Sequence, residues 1–283
     1  MTQSPLLAID SVDGIVTPLD MRTIAVAVLV LGLTACGSGA RPAVRFAPAN
    51  TDPRQVRRDL PLTAAERAAL TPANLQALTQ DQVNQIYARL TAGPIPDGAY
   101  RGDLFFPRDA NGRARLREMA GPLPPGLAHL ATLRVERLAR ALWRGKVFYR
   151  SQGIVRNRIE DLAILKPLLR ERETIPRLSV DGRTTWLLFP ARIACEPSAF
   201  DPPQKSVIVD YSKSENIEGY RDIPDRLAGA NGLKIRDEVR IVRPGFYLGR
   251  AYFGDRFGLN FTLLDPALDS TAAASAAGSE VCE

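Results

Sequence analysis

Residues that commonly do chemistry are few in this chain of 283 residues, which holds one histidine, His129, and three cysteines, Cys36, Cys195 and Cys282. An imidazole serves acyl transfer only beside a nucleophile that it can deprotonate. No Gly-x-Ser-x-Gly motif is present to supply one. His129 lies in a helical pattern and reads as structural. Metal centres need paired His or Cys at short fixed spacings, and the sequence has none. The glycine-rich stretch Gly37-Ser38-Gly39 belongs to a tether-like segment and cradles no phosphate. On this reading the chain has no catalytic residue, no metal site and no cofactor.

The polar residues that remain worth weighing lie between 210 and 240. They are Asp210, Tyr211, Lys213, Glu215, Tyr220, Arg221, Arg236, Asp237, Glu238 and Arg240. Carboxylates opposed to guanidinium groups on neighbouring strands can bind a polar headgroup, and they can equally form ion pairs at the surface. Surface pairing is the expectation. Paired acids such as Asp237 and Glu238 can serve a hydrolase, but adjacent residues of a strand point to opposite faces. This pair alone makes no site.

Around the first cysteine the sequence carries an address. Residues 24–33, IAVAVLVLGL, form an apolar run without charge. A bilayer span needs roughly 20 residues, so this run reads as the hydrophobic region of a signal peptide, with Arg22 before it and small residues after it. Leu33-Thr34-Ala35-Cys36 resembles the lipobox of bacterial lipoprotein precursors at all four positions. The resemblance implies a diacylglycerol thioether on Cys36, cleavage between Ala35 and Cys36, and acylation of the new N-terminus. It also implies anchoring in a bacterial cell envelope. By resemblance to Gram-negative lipoproteins, Gly37 after the cysteine favours the outer membrane, facing the periplasm. Residues 1–20 carry three aspartates and no base, which suits no signal peptide, so Met21 is expected to be the initiator.

With Cys36 lipidated, Cys195 and Cys282 remain in an oxidising compartment, which favours one disulfide between them. It would close a span of 87 residues, for a stabilisation of roughly 4 kcal/mol. The small-residue stretch 271–278 before Cys282 can let that cysteine reach back or leave it free.

Export also bears on charge. The chain is +6 at neutral pH, and loss of Arg22, Asp10, Asp13 and Asp20 with residues 1–35 leaves the remainder more basic still. A basic surface favours anionic neighbours such as phospholipid headgroups. Nucleic acid is disfavoured as a partner, because no basic-aromatic motif accompanies the charge.

The elements that would position these residues follow in order. Residues 36–60, rich in Pro, Ala and Arg, read as a flexible tether, and 61–93 as a helical segment. Thr63 with Glu66 and Thr79 with Gln82 have capping-box spacing. Thr71-Pro72 pairs an N-cap with proline at the first turn. A longer helix over about 80–91 would present Val83, Ile86, Tyr87 and Leu90 on one face. The 94–266 region reads as mainly antiparallel β, with one helix near 127–143. Strands are expected at 99–106, 146–150, 185–194, 206–211, 238–242, 246–253 and 257–264, the last two joined by a tight turn at Gly254-Asp255. Residues 267–283 read as a flexible tail. The fold class is α+β, a helical N-terminal part followed by an antiparallel meander.

Ala141-Leu142-Trp143-Arg144-Gly145-Lys146-Val147-Phe148 is similar to the Gly-x-Trp-x-Gly-Lys-x-Phe opening of small lipocalin-like barrels of unknown function. Pro244-Gly245-Phe246-Tyr247-Leu248-Gly249-Arg250 resembles a strand pattern from the same kind of protein. The resemblance implies a barrel with an apolar interior. Trp143, Phe148, Tyr247, Tyr252 and Phe261 are then the expected lining of a site for a lipid or other small apolar ligand. The leading reading is a non-enzymatic envelope lipoprotein, held to the membrane through Cys36, that binds such a ligand. An envelope enzyme using acids of 210–240 is the first alternative. The second is a structural lipoprotein that meets another envelope protein through the 63–91 helices.

Overall fold

The computed structural model describes residues 44–109, 143–163, 165, 166, 169, 174–269 and 282. Cys36 and the run before it, Met21, His129, all but the last residue of the helix expected near 127–143, and the tail at 270–281 lie outside these residues. Among the described residues no helix is long and apolar enough to cross a membrane.

Four short helices lead the chain: α1 (Pro53–Asp59), α2 (Ala64–Ala69), α3 (Pro72–Gln76) and α4 (Gln80–Ala88). Thr63 Oγ1 accepts from the Glu66 amide at 3.1 Å, while the Thr63 amide donates to Glu66 Oε2 at 2.8 Å. Thr79 and Gln82 make the same reciprocal pair. Thr71 adds a third with Asn74, a side chain that can accept as glutamine does. α4 stops at Ala88 rather than near 91, because Thr91 turns away to form a bridge with Ile241.

The tether expected over 36–60 is not a tether from residue 44 onward. Asp52 caps α1 and Pro53 occupies its first turn, so this Pro- and Arg-rich stretch carries a helix. Val56 is buried. The Ala47 amide donates to Gln85 Oε1 at 2.9 Å, and Gln85 Nε2 returns a bond to the Ala47 carbonyl at 3.1 Å. Arg57 reaches Asp201 at 2.8 Å. The stretch is strapped to the folded body by its own polar groups.

Nine strands follow: β1 (Gly98–Phe105), β2 (Trp143–Tyr149), β3 (Ile154–Ile159), β4 (Arg177–Val180), β5 (Arg183–Pro197), β6 (Lys205–Asp210), β7 (Ile235–Arg243), β8 (Phe246–Phe253) and β9 (Arg256–Leu264). Neighbours run antiparallel in the order β3-β2-β1-β9-β8-β7-β6-β5-β4, and β3 also pairs with β5. That pairing closes eight strands into a barrel, with β4 hanging from the first half of β5. Closure leaves those eight strands no free sheet edge.

β3 and β4 appear where no strand was expected. β3 is buried at every position, so it shows no alternation of apolar and polar residues. Trp143 opens β2 instead of ending a helix. Residues Phe253 and Arg256 face each other across the expected two-residue turn at Gly254-Asp255.

Alternation along β8 separates two cores. Tyr247 and Ala251 point into the barrel with Val239, Phe261 and Leu263. Phe246 and Leu248 point outward, where Leu70, Leu75, Val83 and Ile86 of the helices cover them. A third, smaller cluster joins Ile159 and Leu188 to Leu162, Leu165 and Ile175 on the outside of β3 and β5.

Candidate functional site

The two ends of the barrel differ. At one end the chain crosses at 91–95. The Tyr247 hydroxyl donates to the Pro94 carbonyl at 3.1 Å, and the Cys282 amide donates to Gly93 O at 3.2 Å. Cys282 is bonded to Cys195, as the expected disulfide required, and packs in the barrel core. At the other end, where β1 stops and β2 starts, Leu104, Phe106, Trp143, Ile235 and Phe253 form a rim of half-buried apolar side chains.

Directly inside that rim sits a polar cluster. Lys146 follows Trp143 as the next inward residue of β2, and Asp237 follows Ile235 on β7. Asn157 comes from β3, and Tyr211 from the turn after β6. Their exposures are 1% for Lys146, 4% for Asp237, 7% for Asn157 and 3% for Tyr211. The Lys146 ammonium lies 2.8 Å from Asp237 Oδ2, 2.5 Å from the Tyr211 hydroxyl and 3.0 Å from Asn157 Oδ1. Asn157 Oδ1 also accepts from Trp143 Nε1 at 2.9 Å and from the Tyr211 hydroxyl at 3.1 Å. The same nitrogen stands over the rings of Trp143, Tyr211 and Phe261 at 5.6, 5.1 and 5.6 Å.

An ammonium has three donors, and Lys146 spends all three here. Burial works against its charge, but Asp237 and Tyr211 together outweigh that penalty and raise its pKa. It is therefore a cation held in place, not a poised amine nucleophile, which would need a lowered pKa. Burial is the leading cause that pushes the Tyr211 hydroxyl up to about 12.

The backbone explains why Trp143 joins this cluster. The β2–β3 register slips between Trp143 and Lys146. Gly145 sits in that slip at a φ of 126°, and a Cβ there would lie 2.1 Å from the Tyr100 carbonyl oxygen. The bulge puts Trp143 on the same face as Lys146 and Phe148, where strict alternation would have turned it outward. Its ring lies on Gly102, where a Cβ would come within 2.3 Å of it. Below the cluster the barrel is filled by rings. Tyr100 meets Phe148 and Tyr247 edge-on, with centroids 5.7 Å apart in both pairs, and Phe261 lies on Gly249.

Of the five residues expected to line a site, Phe148, Tyr247 and Phe261 belong to this filled core and Trp143 stands at the rim. Tyr252 does not line the interior. It shares the outer face with Phe246 and Leu248, where its hydroxyl accepts from Arg250 Nε at 3.2 Å. The expected 210–240 cluster divides likewise. Asp237 points inward, while Glu238 takes bonds from Ser198 and the Ala199 amide, each at 2.6 Å, on the outside. Arg240 is fully buried against Asp201 at 2.5 Å and Ser206 at 3.0 Å. Asp210 holds Lys213 at 3.1 Å near the surface. Surface pairing thus fails as a description of Asp237, Glu238 and Arg240, because Asp237 faces the barrel interior and outer helices and loops cover the strand face of Glu238 and Arg240. The acids converge on no common point.

Sequence reasoning missed Lys146 and Asn157 as site residues. A signal was present. Asp237 interrupts the apolar stripe Ile235, Val239, Ile241, and a lone charge on an apolar face needs a buried partner of opposite sign. Comparison with family models, with curated proteins and with solved structures finds no match to this chain.

Proposed function

We propose that the chain is an envelope lipoprotein, anchored through acyl chains on Cys36, whose barrel takes a small apolar ligand at the end rimmed by Leu104, Phe106, Trp143, Ile235 and Phe253. The observation that carries the ligand reading is the asymmetry of the barrel. One end is crossed by 91–95 and by the disulfide-bonded Cys282, while the other offers a half-buried apolar rim over a polar floor. Barrels of eight strands have room for side chains or for one small molecule. Rings fill the part of the barrel below the polar cluster, so a compact ligand suits it better than a long chain. The lipocalin-like resemblance of residues 141–148 agrees with a barrel of this kind.

The anchor reading rests on the lipobox. One acyl chain holds a protein only marginally, and two or three on one residue make the attachment effectively permanent. Native mass spectrometry of the protein extracted from membranes tests both halves. The expected species begins at Cys36, carries acyl mass and releases a small apolar molecule on activation. A chain still preceded by residues 1–35 with an unmodified Cys36 removes the anchor. An acylated chain that never carries a ligand removes the binding function.

A further inference from the structure

Three guanidinium groups share one carboxylate beside the end of β3. Glu160 stands just past that strand, and Arg158, two residues before it, falls on the same side of the chain. Arg158 Nη2 lies 3.6 Å from Glu160 Oε1. Arg144 Nε, from the neighbouring β2, lies 3.9 Å from Glu160 Oε2. Arg183 Nη1, at the start of β5, lies 3.6 Å from the same oxygen. All three contacts are longer than a hydrogen bond. The side chains of Arg144 and Arg183 are 47% and 74% exposed. Arg158 is buried and fixed, with Nη1 donating to the Tyr100 carbonyl at 3.0 Å. Its Nε is sealed from solvent without a hydrogen-bond partner.

Three cations around one acid leave a surplus of positive charge. Arg101 and Asp181 also act on Arg158, with opposite signs. Asp161, next to Glu160, accepts from the Ala163 amide at 2.8 Å. Burial is the largest influence on Arg158 and works against its charge. A buried cation that must share its counter-ion is expensive to keep, and a second anion would relieve it.

We propose that Arg144, Arg158 and Arg183 form a binding site for a phosphate monoester. Such a group carries close to two negative charges at neutral pH, which matches the surplus. The exposed forks of Arg144 and Arg183 can turn from Glu160 and grip the phosphate oxygens. Arg158 supplies a fixed positive charge behind them. A diester, with one charge, matches less well. The recognised chemistry is the same whether the monoester is a lipid headgroup or a soluble molecule. The site depends neither on a ligand inside the barrel nor on the anchor at Cys36.

Equilibrium dialysis of the full chain against radiolabelled inorganic phosphate, at constant ionic strength, tests the site. The expected result is saturable binding of one equivalent. Arg144→Gln and Arg183→Gln should each weaken it at least about tenfold, through loss of a charge-assisted bond. Both residues are exposed, and an unchanged urea midpoint checks that these variants fold. Arg226→Gln, which alters an exposed arginine beside Asp222, should bind as the parent does. Repeating the dialysis with phosphatidylcholine vesicles, with and without phosphatidate, separates the two sources. Displacement by phosphatidate alone assigns the site to a lipid headgroup, and retention of the label assigns it to a soluble monoester. Absence of saturable binding, equal weakening by all three variants, or equal competition from dimethyl phosphate overturns the proposal.

Discussion

Replacing Lys146 by methionine keeps the shape of the stem and deletes the charge. Asp237 Oδ2 lies 2.8 Å from the ammonium. At an effective dielectric constant of about 20, that separation corresponds to an attraction of about 6 kcal/mol. The attraction offsets the cost of burying both ions, which is several kcal/mol for each. The pair therefore contributes little net stability, but either member alone is expensive. Lys146→Met leaves Asp237 and Asn157 Oδ1 without their shared donor, and the expected loss is about 3–5 kcal/mol. Lys146→Met combined with Asp237→Leu removes both ions, and the expected loss falls to about 1–2 kcal/mol, mainly for the hydrogen bonds of Tyr211. Urea unfolding at neutral pH with the disulfide intact, followed by tryptophan emission, measures the cycle. A double variant no more stable than Lys146→Met, or a single variant within about 1 kcal/mol of the parent, would refute the view of a charge pair held by mutual need.

Gly249→Val places a Cβ 2.2 Å from the Phe261 ring, and the expected loss is about 3 kcal/mol or more by thermal unfolding. Gly249→Val with Phe261→Ala should recover part of it. Lys146 and Tyr211 both hold their protons more tightly in the fold than in the unfolded chain. Their contribution is complete below about pH 10, the ordinary range of both groups, and is lost as pH rises through the folded values. Stability should therefore fall steeply on the alkaline side, and the tyrosinate absorbance of the Tyr211→Phe variant should lack the component that appears near pH 12 in the parent. Cys282→Ser opens a loop of 87 residues, with an expected loss of about 4–5 kcal/mol, read as a lower urea midpoint that added reductant does not lower further.

β9 was legible because Phe257, Leu259, Phe261 and Leu263 alternate with Gly258, Asn260 and Thr262, and its turn from β8 was visible as two residues between apolar runs. β3 hid because Arg156 and Arg158 look like surface residues, whereas both are buried and their guanidinium groups donate to the carbonyls of Glu218 and Tyr100. The bulge at Gly145 was illegible because it breaks the period on which the reading depends, and with it the inward turn of Trp143. The polar floor joins residues from 146 to 237. No local pattern binds them, and only closure of the barrel brings them within one hydrogen-bonded group. The strap at 44–60 was hidden by composition, since proline and arginine suit both a tether and a capped helix turn.

The placement of the helices also dictates an order of assembly. Leu70, Leu75, Val83 and Ile86 belong to the first third of the chain, yet their partners Val242, Phe246 and Leu248 come near its end. β1 must likewise wait for β9. Made from the N-terminus, the chain therefore carries an uncovered apolar helix face until the β7–β8 hairpin exists. Contacts this distant in sequence make folding slow, and exposed apolar surface in the interval invites aggregation. A holding chaperone should therefore grip residues 62–90 of the growing chain and release them when β8 pairs.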